Sequence, residues 1–274
     1  MPLTNIDGQR LGDSVADKLG VRNLIINGAM QVSQRATSKA SITSQSYHTV
    51  DRFFLNIITL GTWTMSQESS GPDGFAHSLK LLCTTADASP AAADAALIIY
   101  RVEGQDLQQL AYGSSAAKQL TLSFYVKSNK TGNASVAVRQ PDASNRLYSA
   151  QYTISSANTW ERKTIVVPAD TSGTINDDNG NGLQLEWWLN SGSNYTGGSH
   201  GGWKASDETS RNASNLGIGG AVNDYYEITG VQLEVGNTAT PFEHRTYSED
   251  LTSCLLYTSP SPRDAHESRM PSSA

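Results

Sequence analysis

The stretch Gln119-Leu-Thr-Leu-Ser-Phe-Tyr-Val-Lys127 decides the fold. Leu120, Leu122, Phe124 and Val126 fall on one parity, and Thr121, Ser123, Tyr125 and Lys127 on the other. That period of two belongs to a half-buried β-strand. It returns in Leu183–Asn190, where Leu183, Leu185, Trp187 and Leu189 alternate with Gln184, Glu186, Trp188 and Asn190. Working outward, Val50–Thr59, Leu79–Cys83, Ala95–Glu103, Ala134–Arg139, Leu147–Ile154 and Trp160–Val167 read as further strands between polar turns. Tyr225–Val235 changes phase: Tyr226 and Ile228 are apolar at even positions, Val231, Leu233 and Val235 at odd ones. Gly230 stands at the flip, where a β-bulge is expected. About ten short strands and no long helix predict an all-β fold, an antiparallel two-sheet β-sandwich. No repeat of roughly 20–50 residues is present, which argues against a β-helix or propeller.

Composition agrees. Of 274 residues only 17% are charged, below the roughly 25% usual in soluble domains. Ser, Thr, Asn, Gln and Gly fill the difference, as suits short strands and long loops. The net charge is −6, from 20 Lys+Arg against 26 Asp+Glu. With the basic residues scattered, no nucleic-acid partner is expected. No apolar run reaches the roughly 18 residues of a membrane helix, so no membrane insertion is expected.

The two ends differ from the middle. Residues 1–21 read as a short leader or attachment segment, with Leu11, Val15 and Leu19 spaced for one weak helical stripe. Their Asp, Lys and Arg stand where a signal peptide would carry its apolar run, so no secretion signal is expected. Residues 254–274 hold three of the nine prolines and no periodic pattern. Cys254–Asp264 resembles one reading frame of a sequencing-library adapter, and Ser268–Ala274 resembles the far end of the same oligonucleotide. The sandwich is therefore expected over 22–253, with 254–274 an artefactual tail. On that reading Cys83 is the one cysteine of the domain and an internal disulfide is not expected.

Chemistry-bearing motifs are scarce. There is no GxSxG elbow, P-loop, HExxH or CxxC. His48, His77, His200 and His244 lie far apart with no ligand spacing. Asp177-Asp178-Asn179-Gly180-Asn181-Gly182 matches the first half of a calcium loop, but Trp188 stands where the bidentate Glu belongs. A plain loop is expected, with no cofactor; structural Ca²⁺ at Asp177, Asp178 and Asn179 is the alternative. Glycosidase chemistry needs two carboxyls about 5–10 Å apart. Glu186 is one candidate and nothing nominates a second, so no enzyme is expected.

What recurs is aromatic residues on polar strand faces. A glycan site wants an aromatic ring for the apolar sugar face and polar side chains for its hydroxyls. Trp188 and Tyr125 are candidate platforms, with Glu186, Gln184, Arg139 and Gln151 as candidate partners. Packing under a loop or against another subunit is the competing reading for both rings. Trp187 and Trp160 are assigned to the core, and Tyr195 and Trp203 are alternative loop platforms.

Two resemblances follow from the residues. Leu120–Ser128 (LTLSFYVKS), Tyr152–Val167 and Tyr226–Val235 (YEITGVQLEV) resemble the jelly-roll carbohydrate-binding modules attached to bacterial cellulases and xylanases. Asn23–Arg35 (NLIINGAMQVSQR), Val50–Phe53 and Gly230–Gly236 through Thr240–Arg245 (TPFEHR) resemble tail-fibre or related virion structural proteins of tailed phages, marine ones especially. The second resemblance implies a virion location, tail-protein partners, a homotrimer and contact with a host-surface polysaccharide or receptor. A structural domain without ligand and a glycan-degrading tailspike are the alternatives it leaves open. It designates no sugar-binding residue.

Overall fold

The computed structural model describes residues 22–258; the stripe at Leu11, Val15 and Leu19 lies outside them, as do residues 259–274. Within that span the strands are β1 (Ser38–Ile42), β2 (Phe54–Ile58), β3 (Thr62–Glu68), β4 (Ser78–Thr85), β5 (Ala95–Glu103), β6 (Leu120–Ser128), β7 (Gly132–Gln140), β8 (Arg146–Ile154), β9 (Glu161–Val167), β10 (Asn181–Ser191) and β11 (Tyr225–Val235). Helix α1 (Tyr247–Thr258) follows them and runs across the expected boundary at residue 253. Two sheets form, six-stranded in the order β1-β3-β4-β11-β6-β9 and five-stranded in the order β2-β5-β10-β7-β8. Every strand pairing is antiparallel. The fold is thus an all-β, two-sheet sandwich of jelly-roll type.

Alternation explains the core. Leu120, Leu122, Phe124 and Val126 of β6 and Leu183, Leu185, Trp187 and Leu189 of β10 are fully buried and meet between the sheets. Phe124 and Trp187 make an edge-to-face contact at 5.8 Å across that space, a favoured aromatic geometry. The run Val50–Thr59 is strand only from Phe54 to Ile58. Arg52 ahead of it (φ 75°) and Thr59 behind it (φ 51°) turn the backbone out of the extended region.

The phase flip in β11 is a bulge. Thr229 pairs with Tyr125 and Gln232 with Ser123, so Gly230 and Val231 together oppose Phe124. Gly230 adopts φ 60°, a conformation glycine reaches without steric cost.

Past the bulge, β4 no longer borders β11, and residues 24–28 take its place. Leu24 N–H donates to the Leu233 carbonyl and Val231 N–H to the Gly28 carbonyl, both at 2.9 Å. The Asn23 side chain joins in: Oδ1 accepts Leu233 N–H at 3.0 Å, and Nδ2 donates to the Val231 carbonyl at 3.2 Å. A third segment closes over the pair. Glu243 Oε2 accepts the N–H groups of Arg22 and Asn23 at 2.9 and 2.7 Å, while Arg245 Nη2 donates to the Asn23 carbonyl at 2.8 Å. Gln232 Oε1 accepts Glu243 N–H at 2.7 Å. Residues 22–28, 230–233 and 243–245 therefore fold into one clasp. Asn27 locks its near end from a left-handed backbone (φ 61°), bonding Val32 N–H and the carbonyls of Val32 and Asp51.

Candidate functional site

The two outer faces of the sandwich differ. On the five-stranded sheet, β10 turns Gln184, Glu186 and Trp188 outward between Ile99 and Leu97 of β5 and Ala137 of β7. A second, smaller apolar cluster forms there from Ala95, Leu97, Ile99, Ala137, Leu147 and Trp188. The long β10–β11 connection, residues 192–224, lies over it.

Arg211, from that connection, reaches Glu186 with two parallel hydrogen bonds, Nε to Oε2 at 3.0 Å and Nη2 to Oε1 at 2.8 Å. Its guanidinium stands over the rings of Trp188 (4.8 Å) and Tyr195 (5.4 Å), and Glu208 pairs with its remaining nitrogen. Trp188 Nε1 and Gln184 Nε2 donate to Glu186 at 3.1 and 2.6 Å, and Arg139 lies 3.5 Å from Oε1. Glu186 is fully buried. Burial pushes its carboxyl pKa up, but the charge and hydrogen bonds of Arg211, with the charge of Arg139 and the hydrogen bond from Gln184, outweigh burial and hold it below the ordinary value. Burial would likewise lower Arg211, and Glu186 with Glu208 more than restore it.

This arrangement corrects the platform expected at Trp188. The ring does point away from the main core, but it is 1% exposed, roofed by Tyr195 at 5.1 Å and by Arg211. Gln184, Glu186 and Arg139 are brought together with it, and their polar atoms anchor the loop. Glu186, buried under Arg211, is not placed to exchange a proton with a sugar. Gln151 stays exposed on β8, accepting the Ser214 hydroxyl at 2.8 Å in a chain that continues through His200 to Ser149. Trp203 donates Nε1 to the Pro168 carbonyl and packs on Tyr112 and Tyr148.

Tyr125 alone of the six candidates lies on the other outer face, that of the six-stranded sheet. It is half-buried and belongs to a ring cluster with Phe75 (5.4 Å), which in turn meets Phe242 (4.9 Å) and His244 (5.2 Å). Beyond His244 an open groove of about 580 Å³ runs beside α1, past Ser248, Glu249 and Thr252. Toward the opposite end of this face stand two further half-buried rings, Tyr225 and Trp160. Lys80 lies over Tyr225 at 5.0 Å and Lys127 over Trp160 at 4.9 Å. Both ammonium groups pair with Glu227, at 3.4 and 2.7 Å. Burial and the Glu227 charge push the Tyr225 hydroxyl pKa up.

Trp160 is the second correction, being a surface ring rather than a core one. Its even position shares the outward phase of Arg162, Thr164 and Val166, all exposed, while Ile165 and Val167 face inward. Lys80, Glu227 and Tyr225 were legible in the same way, as outward members of their strands. Arg211 was not, since nothing in a loop sequence shows which sheet residue it will cover.

Among the described residues no three His, Cys, Asp or Glu side chains gather to hold a metal ion. Asp178 Oδ1 accepts Gly180 N–H at 2.8 Å within its own turn. No helix among them is long and apolar enough to cross a membrane.

No protein-family model and no curated protein sequence matches the chain. Among solved structures, the enzymatically active domain of tailspike protein 4 of bacteriophage CBA120 aligns over 78% of this chain at 12% identity and a TM-score of 0.41. The chain spans about a fifth of that protein's length, 21%. A TmCBM61 structure in complex with β-1,4-galactotriose aligns over 78% of this chain and 99% of its own, at 10% identity and a TM-score of 0.35. The family 11 carbohydrate-binding module of a Clostridium thermocellum cellulosomal cellulase aligns over 74% of this chain and 100% of its own, at 11% identity and a TM-score of 0.36.

Proposed function

We propose that the chain is a non-catalytic, glycan-binding module of a phage tail fibre or related virion protein, and that it binds host-surface polysaccharide on the outer face of its six-stranded sheet. The observation that carries the reading is the set of half-buried rings on that face, Tyr125, Trp160 and Tyr225, bordered by lysine, glutamate and asparagine. Rings of this kind offer apolar area to a sugar and polar groups to its hydroxyls. The virion assignment is supported by NLIINGAMQ and TPFEHR. Under it the partners are other tail proteins, and the module works as a homotrimer made in the host cytoplasm. A single millimolar site is worth only about −4 kcal/mol. Three tethered copies would raise avidity by roughly 10²–10⁴ where geometry permits.

The test is a glycan array probed with the full chain, followed by affinity measurement on any ligand found. Trp160→Ala is expected to weaken binding at least tenfold, about 1.4 kcal/mol, with an unchanged circular dichroism spectrum. Unaltered binding would remove this face from the site. The clasp favours a second reading, a purely structural virion domain, because it commits three of the four phage-like stretches to packing. Silence across host polysaccharides would support that reading, and release of reducing ends would support a tailspike enzyme.

A further inference from the structure

The open face is not electrically neutral, and this bears on its ligand. Lys80 on β4 and Lys127 on β6 flank one carboxylate, that of Glu227 on β11. Two cations around one anion leave a local positive excess on a chain of net charge −6. The Glu227 side chain is 4% exposed, whereas those of Lys80 and Lys127 are 27% and 19% exposed. The acid therefore lies beneath and the ammonium groups reach solvent. A third lysine, Lys130, sits near the same end, 3.5 Å from Asp224 and donating to the Gly217 carbonyl at 2.7 Å.

Each ammonium has three N–H donors, and its contact with Glu227 is an ion pair in which Oε2 accepts no hydrogen bond, so donors remain for a second anion. Both groups are also held over aromatic faces, a cation–π arrangement. Much of the side-chain freedom a lysine would lose on binding an anion is thus already lost in the free protein. Trp160 and Tyr225 lie two strands apart and two residues offset along them, roughly 12 Å from strand geometry. Between them Asn158 accepts the Tyr225 hydroxyl at 2.7 Å through Oδ1, which leaves its amide N–H groups as donors at an exposed position. A saccharide lying across both rings would carry its substituents over the lysine pair.

We propose that the face takes an acidic polysaccharide, one whose sugars carry carboxylate or sulfate, with the acid group seated between Lys80 and Lys127. The proposal rests on the glycan reading above and adds the charge class of the ligand. Affinity of the full chain is measured for polygalacturonate, its carboxyl-reduced neutral form, dextran sulfate and plain dextran, at low and high salt. At least one acidic polymer is expected to bind tenfold or more tighter than its neutral counterpart, with the advantage shrinking as salt rises. That advantage should vanish in Lys80→Gln/Lys127→Gln. Should the stranded Glu227 unfold that variant, the triple change that adds Glu227→Gln removes the buried charge and must show the same loss.

Equal binding of acidic and neutral polymers, abolished by Trp160→Ala, would overturn the charge class and leave the glycan reading intact. Failure of all four polymers to bind would overturn the acidic-ligand proposal, while the glycan reading itself falls only on silence across the array of host polysaccharides. Equally tight binding of polyglutamate, which has no sugar ring to stack, would reduce the face to an unspecific anion patch and overturn the proposal. Carboxylate and sulfate are told apart by which acidic polymer binds.

Discussion

Arg211→Ala is expected to lower stability by about 3–5 kcal/mol, because it strands a fully buried carboxylate. For a domain of this size that corresponds to a fall in Tm of about 10 °C. Arg211 supplies two of the hydrogen bonds to Glu186 and the nearest opposite charge. Arg139, at 3.5 Å, is too distant to replace it. The loss should appear first in the loop, as faster proteolytic cleavage between residues 192 and 224, since the same guanidinium ties that loop to Trp188 and Tyr195. Glu186→Gln/Arg211→Ala should be less destabilised than Arg211→Ala alone, because the buried charge is gone. Equal melting temperatures for the single and double variants would refute an electrostatic role.

The pH dependence follows from the sign of the Glu186 shift. In the folded wild type its pKa is held below the ordinary value. The stability this contributes is present above the unfolded-state pKa and is lost as pH falls through the folded one. Without Arg211 burial dominates, and the folded pKa moves above the ordinary value. The variant's deficit is then greatest near neutral pH and shrinks as the medium is acidified toward pH 4–5. Melting curves of both proteins from pH 4 to 8 should converge at the acid end. Parallel curves would mean that the deletion acts through packing alone.

Legibility in the sequence followed parity. Leu120 to Val126 and Leu183 to Leu189 announced their strands because every inward position is apolar. The bulge announced itself because an extra residue shifts the phase and Gly230 marks where. β3 was missed although Trp63 and Met65 alternate inward, since Thr62, Thr64, Ser66, Gln67 and Glu68 give it the composition of a loop. β1, SKASI at the sheet edge, has only Ile42 buried and offers nothing for a hydrophobic pattern to read. α1 carried a start signal, the capping box Thr246-x-x-Glu249, in which each residue's side chain bonds the other's backbone N–H. The helix continues to Thr258, past the point at which the sequence pattern loses its periodicity. At the site, parity placed Trp188 on the right face but could not show the loop that closes over it. Trp160, assigned to the core as a large aromatic, is outward by the same parity rule. Side-chain identity was a poorer guide than phase.

Gly28→Ala is expected to cost about 4 kcal/mol or more, beyond the usual range for one added methyl in a packed core. A Cβ at position 28 would stand 2.1 Å from the Val231 carbonyl oxygen and 3.2 Å from its carbon. Both are backbone atoms of the bulge, fixed by the β6 ladder on one side and by Asn23 Nδ2 on the other. Relief would require residues 24–28 to lift away from β11, which breaks the Val231–Gly28 and Leu24–Leu233 hydrogen bonds together. Gly230→Ala is the informative contrast. Its φ of 60° carries a left-handed penalty of about 1–2 kcal/mol. The atoms its Cβ would meet, at 2.8 and 2.9 Å, are the rings of Phe75 and Tyr125, which can swing toward solvent because both are half-buried. Gly230→Ala should therefore cost less overall while disturbing the ring cluster on the open face. Gly28→Ala should unfold the clasp and draw Phe242 and His244, which flank its Glu243, away from Phe75, while the Phe75–Tyr125 contact stays formed at permissive temperature. Urea titration with tryptophan fluorescence gives both free energies. A Gly28→Ala protein as stable as wild type would mean that the NLIING segment does not lie against β11 as the clasp requires.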